Sequence, residues 1–266
     1  RTILDFHING TRYNIHVTPE GFLYGGKNGV QLTWMDAIVD GRVITPRIGC
    51  PVEINALWYN ALKIYEYFCT TFKLNLDEKY SQVIGRFESN FTNHFTNPQG
   101  TLYDVIVPYV SKDNSFRPNQ LYALSLPFSV LDNESQKRVF EAVRSRLYTS
   151  FGLRTLDMGD LRFQGEYTGC REQRDDAYHQ GTVWPFLLYE YYRAFFLLYG
   201  ESKANKKIVV AELADLRNHF YSDQGLHCIS EIFDGKDPQM GKGTIQQAWS
   251  ISALLKLYSD YGLDEV

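Results

Sequence analysis

VEINALWYNALKIYEYF, residues 52–68, carries apolar side chains at 54, 57/58, 61/62, 64/65 and 68. That is the three-to-four spacing of an α-helix and not the alternation of a strand. The stretch is apolar nearly all round, so the helix it predicts is buried on most sides. SQKRVFEAVRSRLY (135–148), ANKKIVVAELADLRNHFY (204–221) and TIQQAWSISALLKLY (244–258) keep the same period. VWPFLLYEYYRAFFLLYG (183–200) is helical too, with Pro185 in its first turn and Gly200 at its end. Further helices are expected over 77–95 and 119–131.

The expected helices alternate in kind. Those near 77, 135 and 204 have a polar face, whereas those near 52, 119, 183 and 244 are greasy throughout. The greasy helices recur roughly every 64 residues, a structural repeat without a sequence repeat. Short turns follow them, and long connections over 96–118, 149–182 and 222–243 lead back into them. Antiparallel hairpins then deliver every long connection to one rim. An inner ring of helices within an outer ring satisfies this pattern, making the fold an all-α (α/α)6 toroid; an open α-solenoid is the alternative. Four hairpins fit in 1–266, so the reading is one incomplete toroid domain whose first hairpins precede Arg1. RYNIHV, TPEG and FLYGG (12–26) read as a β-hairpin on that rim, and a small strand is expected near 161–168.

Composition narrows the function. The 266 residues are 44% hydrophobic and carry a net charge of −4, with no basic block for a nucleic-acid backbone. No apolar run is long enough to span a bilayer, which argues against a membrane partner. The four cysteines form no CxxC pair, the pattern of reduced thiols in a cytoplasmic protein. GGKNG (25–29) lacks P-loop spacing, GxSxG is absent, and no His or Cys stands at ligand spacing from His179, so neither cofactor nor metal is expected. The 19 Tyr, 17 Phe and 4 Trp fit either a heavy core or a cleft whose rings stack on sugars.

The polar and aromatic motifs gather just before the inner helices. QLTWMDA (31–37) and VITPRIGCPVE (43–53) precede the first, FRPNQ (116–120) the second, and DDAYHQGTVWP (175–185) the third. SEIFDG (230–235) and GTIQQAW (243–249) precede the fourth. Two carboxylates stand out. Asp36, beside Trp34 and Met35, is either a turn residue capping backbone N–H groups or an acid kept protonated by an apolar wall. Glu231 is either a loop carboxylate paired with an arginine or an ionised base that activates water. Only the fold can bring the two together.

At these motifs the sequence resembles the amylo-α-1,6-glucosidase domain of glycogen debranching enzymes. QLTWMDA, VITPRIGCPVEINALWYNAL, YHQGTVWP, SEIFDG and QQAWS carry the likeness across most of the chain. The resemblance implies an (α/α)6 toroid and an inverting hydrolase that releases α-1,6-linked glucose from branched α-glucan. It assigns the general acid to Asp36 and the general base to Glu231. By the same matching, Trp34, Arg47, Glu53, Trp58, Tyr178, His179 and Trp184 line the sugar subsite. Cys50 departs from the family, which tends to have lysine there. Two alternatives stay open: a glycosidase of this fold acting on an α-1,4 or α,α-1,1 glucoside, and a glycan-binding or assembly fragment that associates through exposed inner-helix flanks.

Overall fold

A helix opens the chain, α1 (Thr2–Asn9), ahead of the expected hairpin. The computed structural model describes residues 1–266, which fall into two units. One comprises Arg1–Ser115 and Tyr122–Val139, the other Phe116–Leu121 and Phe140–Val266.

In the first unit the expected hairpin is present but shorter than its alternation suggests. Only β1 (His16–Val17) and β2 (Leu23–Tyr24) pair, His16 opposite Tyr24, because Tyr13 turns the chain at φ 64. A second hairpin, β3 (Ile38–Val39) and β4 (Arg42–Val43), turns through Asp40 and Gly41, both at positive φ. Then β5 (Cys50–Pro51) runs into α2 (Val52–Thr71), and Asp77 caps α3 (Glu78–Phe95) by accepting from the Lys79 N–H at 3.2 Å. A three-stranded sheet joins β5 to β6 (Val105–Val107) and β7 (Ser111–Asp113). The continuous helix expected over 119–131 is absent. A 3-10 turn at Pro118–Leu121 and one α-helical turn, α4 (Tyr122–Ser125), stand there, followed by α5 (Asn133–Arg146). Pro127 removes a backbone donor, which ends the helix early.

The hairpin tip is part of this unit's core. Phe22 is fully buried and meets Phe87 and Phe95 edge-on at 5.4 and 5.3 Å. Those rings lie on α3, where Tyr80, Val83, Ile84, Phe87, Phe91 and Phe95 form one buried stripe. Gly21 permits the contact: at φ +94 it lies so close that a Cβ would stand 2.7 Å from the Phe87 nitrogen. Its carbonyl accepts from the Trp58 indole at 3.1 Å. Asn55 on α2 binds β2 from the other side, accepting from the Leu23 N–H at 2.8 Å and donating to the Leu23 carbonyl at 3.1 Å.

Deeper still, Arg47 is clamped between two acids. It donates to Glu53 and, through Nε and Nη2 at 3.0 Å each, to both oxygens of Asp104. All three side chains are at most 3% exposed. Burial is the strongest influence and lowers the Arg47 pKa, but the charges of Asp104 and then Glu53 outweigh it, so the net shift is upward. The cation is therefore locked in, and it ties the loop after β4 to the start of α2 and to β6.

The second unit contains no strand over 161–168. Its sheet is larger than expected: five antiparallel strands in the order β12-β11-β10-β9-β8. They are β8 (Tyr148–Thr149), β9 (Gly152–Arg154), β10 (Val183–Trp184), β11 (Ile232–Phe233) and β12 (Gly241–Lys242). A short helix, α6 (Arg171–Ala177), lies between β9 and β10. The helix expected over 183–200 begins as strand and a 3-10 turn before α7 (Leu188–Tyr199). That expected over 204–221 breaks at Leu213 into α8 (Lys203–Glu212) and α9 (Ala214–Ser222). Finally α10 (Ala248–Tyr261) ends at Gly262, a left-handed C-cap. Tyrosine rings fill this core: Tyr191 stacks between Phe140 at 5.0 Å and Tyr148 at 4.9 Å.

Two outcomes are expected. Arg47→Met strands two buried carboxylates, and urea unfolding should show a loss of about 3–5 kcal/mol. Cys50 is fully buried, and burial, then the charge of Glu20, push its thiol up to about 12. A raised pKa removes the reactive thiolate, so at about pH 8 Cys50 should resist alkylation until the protein unfolds. Exposed Cys170 should be labelled in the native state, as peptide mass spectrometry will show.

Candidate active site

The second unit builds a carboxylate site from its sheet. Val183 in β10 pairs with Phe233 in β11, which places Tyr178, just before β10, against Glu231, just before β11. The Tyr178 hydroxyl donates to Glu231 Oε1. Gln247 Nε2 donates to the same oxygen at 3.2 Å, while its Oε1 accepts from the Ala248 N–H and caps α10. Glu231 Oε2 accepts from the Thr244 N–H at 2.9 Å and its hydroxyl at 3.4 Å. Both oxygens of a carboxylate that is 8% exposed are thus engaged by neutral donors, with no arginine among them. Glu231 is therefore not the arginine-paired loop carboxylate that was one of its two expected forms. Gly243 makes room for this: at φ +70, a Cβ there would stand 2.5 Å from Glu231 Oε2.

A cavity of about 500 Å³ opens beside the Glu231 segment, bordered by its neighbours and not by the carboxylate itself. Its walls include Ser230 and Gly243, which flank or touch Glu231, together with Tyr167, Arg174 and Lys242. The lining is polar, with room for hydroxylated ligands.

The rings expected to stack on sugar lie mostly behind the site. His179 is fully buried and stacks on Trp184 at 5.2 Å. Trp184 is 1% exposed, and its indole N–H is turned inward to the Tyr178 carbonyl at 3.0 Å. Arg117, also buried, donates to the carbonyls of Thr155 and His179 at 3.0 and 2.7 Å and to Gln180 at 2.7 Å. These groups hold the 178–184 segment in place. Tyr178 is half-buried and reaches the carboxylate directly.

The first unit presents Asp36. It is exposed, while its neighbour Met35 is fully buried and Trp34 is half-buried. Apolar burial of Asp36 was one of its two expected forms; instead the backbone sends Met35 into the core and Asp36 outward. The segment is held by the Ile44 N–H donating to the Ala37 carbonyl at 3.1 Å and by Gln31 donating to the Thr45 carbonyl at 3.2 Å. A cavity of about 200 Å³ lies close by in sequence, lined by Leu32, Thr33, Tyr24 and Arg47 among others. Arg47 and Glu53 border or support it as members of the buried ion triad, and Trp58 is a core residue pinned to Gly21.

Sequence reasoning missed three groups. Thr244 and Gln247 lay within GTIQQAW, a motif noted but not resolved to roles. Asp104 had no local signal, because an isolated aspartate acquires meaning only when Arg47 packs against it.

A family model described as amylo-alpha-1,6-glucosidase matches residues 1–256. The glycogen debranching enzyme of Saccharomyces cerevisiae is 25% identical over 231 residues, spanning 70% of this chain but only 15% of that protein. Among solved structures, the GH63 mannosylglycerate hydrolase from Thermus thermophilus in complex with glucose has a TM-score of 0.56 at 14% identity, over 79% of this chain and 45% of that one. Neutral trehalase Nth1 from Saccharomyces cerevisiae has a TM-score of 0.56 at 12% identity, over 80% of this chain and 38% of that one. At such identities the likeness is one of fold alone. With the match running from residue 1 to residue 256, the chain belongs to the amylo-alpha-1,6-glucosidase family of glycoside hydrolases.

Proposed function

We propose that the protein carrying this chain releases α-1,6-linked glucose from branch points of glycogen or limit dextrin with inversion, Asp36 acting as general acid and Glu231 as general base. The scaffold is read as part of an (α/α)6 toroid. The observation that carries the proposal is the setting of Glu231: a carboxylate held by Tyr178, Thr244 and Gln247, on a segment that borders a polar cavity. Asp36 protonates the departing glycosidic oxygen, and the C–O bond breaks with that oxygen leaving as a hydroxyl. Glu231 takes a proton from the water that attacks the anomeric carbon on the opposite face. Inversion by this route requires the two carboxyl groups to stand roughly 6.5–9.5 Å apart with the sugar bound, leaving room for that water. Exposure of Asp36 suits an acid that is reprotonated from solvent after each turnover.

Asp36→Asn and Glu231→Gln should each lower kcat on limit dextrin by about 10²–10⁴-fold with folding retained, measured as glucose release by the full-length protein. A near-wild-type rate for either removes that residue from the mechanism. Proton NMR of the first product should show β-glucose.

The likeness to neutral trehalase supports a second reading, in which an α,α-1,1 glucoside is cleaved by the same pair. Product analysis on branched dextrin, maltose and trehalose separates the two. Glucose from branched dextrin alone is the expected result, and release from trehalose alone would favour the second. Binding of limit dextrin without hydrolysis of any of the three would mark a glycan-binding module.

A further inference from the structure

Against Ser230, α9 packs a buried histidine that the mechanism does not use. His219 is 4% exposed. Its Nδ1 lies 3.0 Å from Asp223 Oδ2, and its Nε2 lies 3.1 Å from Ser230 Oγ and 3.3 Å from the Ser230 backbone nitrogen. The backbone N–H can only donate, so Nε2 bears the lone pair. The ring proton therefore sits on Nδ1 and is donated to Asp223. Phe233 packs against the ring edge-on at 4.8 Å. Gly241 in β12 closes over the pair, where a Cβ would stand 2.5 Å from Ser230 Oγ and 3.0 Å from His219 Cε1. A side chain at position 241 would displace the serine or the ring.

The aspartate, histidine and serine share the order of a nucleophilic triad, but the serine is 1% exposed and its own backbone N–H is bonded to the histidine. That arrangement fixes a peptide and does not present a nucleophile. The peptide it fixes leads into Glu231. On one side of that residue the Ser230 N–H is held by His219; on the other, the Glu231 N–H donates to the Thr244 carbonyl at 3.0 Å.

We propose that Asp223, His219 and Ser230 form a positioning relay that sets the backbone from which the Glu231 carboxylate projects. This inference rests on Glu231 being the base. The relay fixes where the side chain starts, while Tyr178, Thr244 and Gln247 fix where it ends. A carboxylate misplaced by about 1 Å forfeits up to about 10²-fold in rate. Asp223, whose side chain is 48% exposed, also accepts from the Gln224 N–H at 2.8 Å, so the relay is anchored at the surface by the loop that follows α9.

The test compares His219→Leu, His219→Gln and Ser230→Ala in the full-length protein. His219→Leu should lower kcat on limit dextrin by about 10²-fold with KM unchanged. His219→Gln, whose amide oxygen can stand where Nε2 stood, should restore most of that loss. Ser230→Ala, which keeps the backbone bond, should cost about fivefold, and it decides the matter if His219→Leu does not fold. Crystal structures of the wild type and of each folded variant supply a readout independent of turnover: the Glu231 carboxylate should be displaced or disordered in His219→Leu and restored in His219→Gln. A lowered melting temperature with kcat and the Glu231 position unchanged would make the relay merely structural and overturn the inference. A wild-type protein that releases no glucose defeats the proposed function instead, and the crystallographic comparison still decides the relay.

Discussion

Val183 pairs with Arg154 on one side and Phe233 on the other, and the candidate site in the second unit depends on that double pairing. It draws two long connections, 149–182 and 222–243, into one sheet. The constraint is the need of every buried backbone N–H and C=O for a partner. Long connections lying over a helical core cannot meet it with water, so they meet it with one another. Once β10 and β11 are neighbours, Tyr178 and Glu231 enter the sheet from adjacent strands and their side chains meet. Gly152 allows the layer to close tightly, since a Cβ there would lie 2.5 Å from the Trp184 carbonyl oxygen.

Around Glu231 the labour is divided by polarity. Rings that cannot reach solvent, His179 and Trp184, form the solid backing, and the Trp184 indole N–H turns inward to the backbone. Neutral donors surround the carboxylate, which leaves it an acceptor without burying a cation beside it. A buried cation is kept elsewhere. Arg47, with Glu53 and Asp104, uses its charge to join a loop, a helix start and a strand in the first unit. A pair of this kind adds little net stability over a well-packed apolar alternative, but its removal is strongly destabilising, and it specifies which three segments meet.

The helical framework was legible in the apolar spacing because α2, α3, α5 and α10 obey a local rule of 3.6 residues per turn. The same rule overreached at 119–131, where Pro127 intervenes, and at 183–187, where pairing with β9 and β11 claims the backbone before a helix can begin. It also passed over the break at Leu213. At TWMDA, the neighbours of Asp36 suggested a buried acid. Adjacent residues in an extended loop point in opposite directions, so the burial of Met35 is the reason Asp36 is exposed.

By itself, the sequence determined the alternation of greasy and amphipathic helices, the short hairpin near the start, the family motifs and the two carboxylates worth naming. These follow from periodicity and local chemistry, which act within a few residues. The tertiary structure alone decided that Glu231 is held by Tyr178, Thr244 and Gln247, that Arg47 belongs to Asp104 and Glu53, and that His219 stands behind Ser230. Each of those contacts joins side chains brought together by strand pairing or core packing, and no local pattern encodes which distant partner arrives.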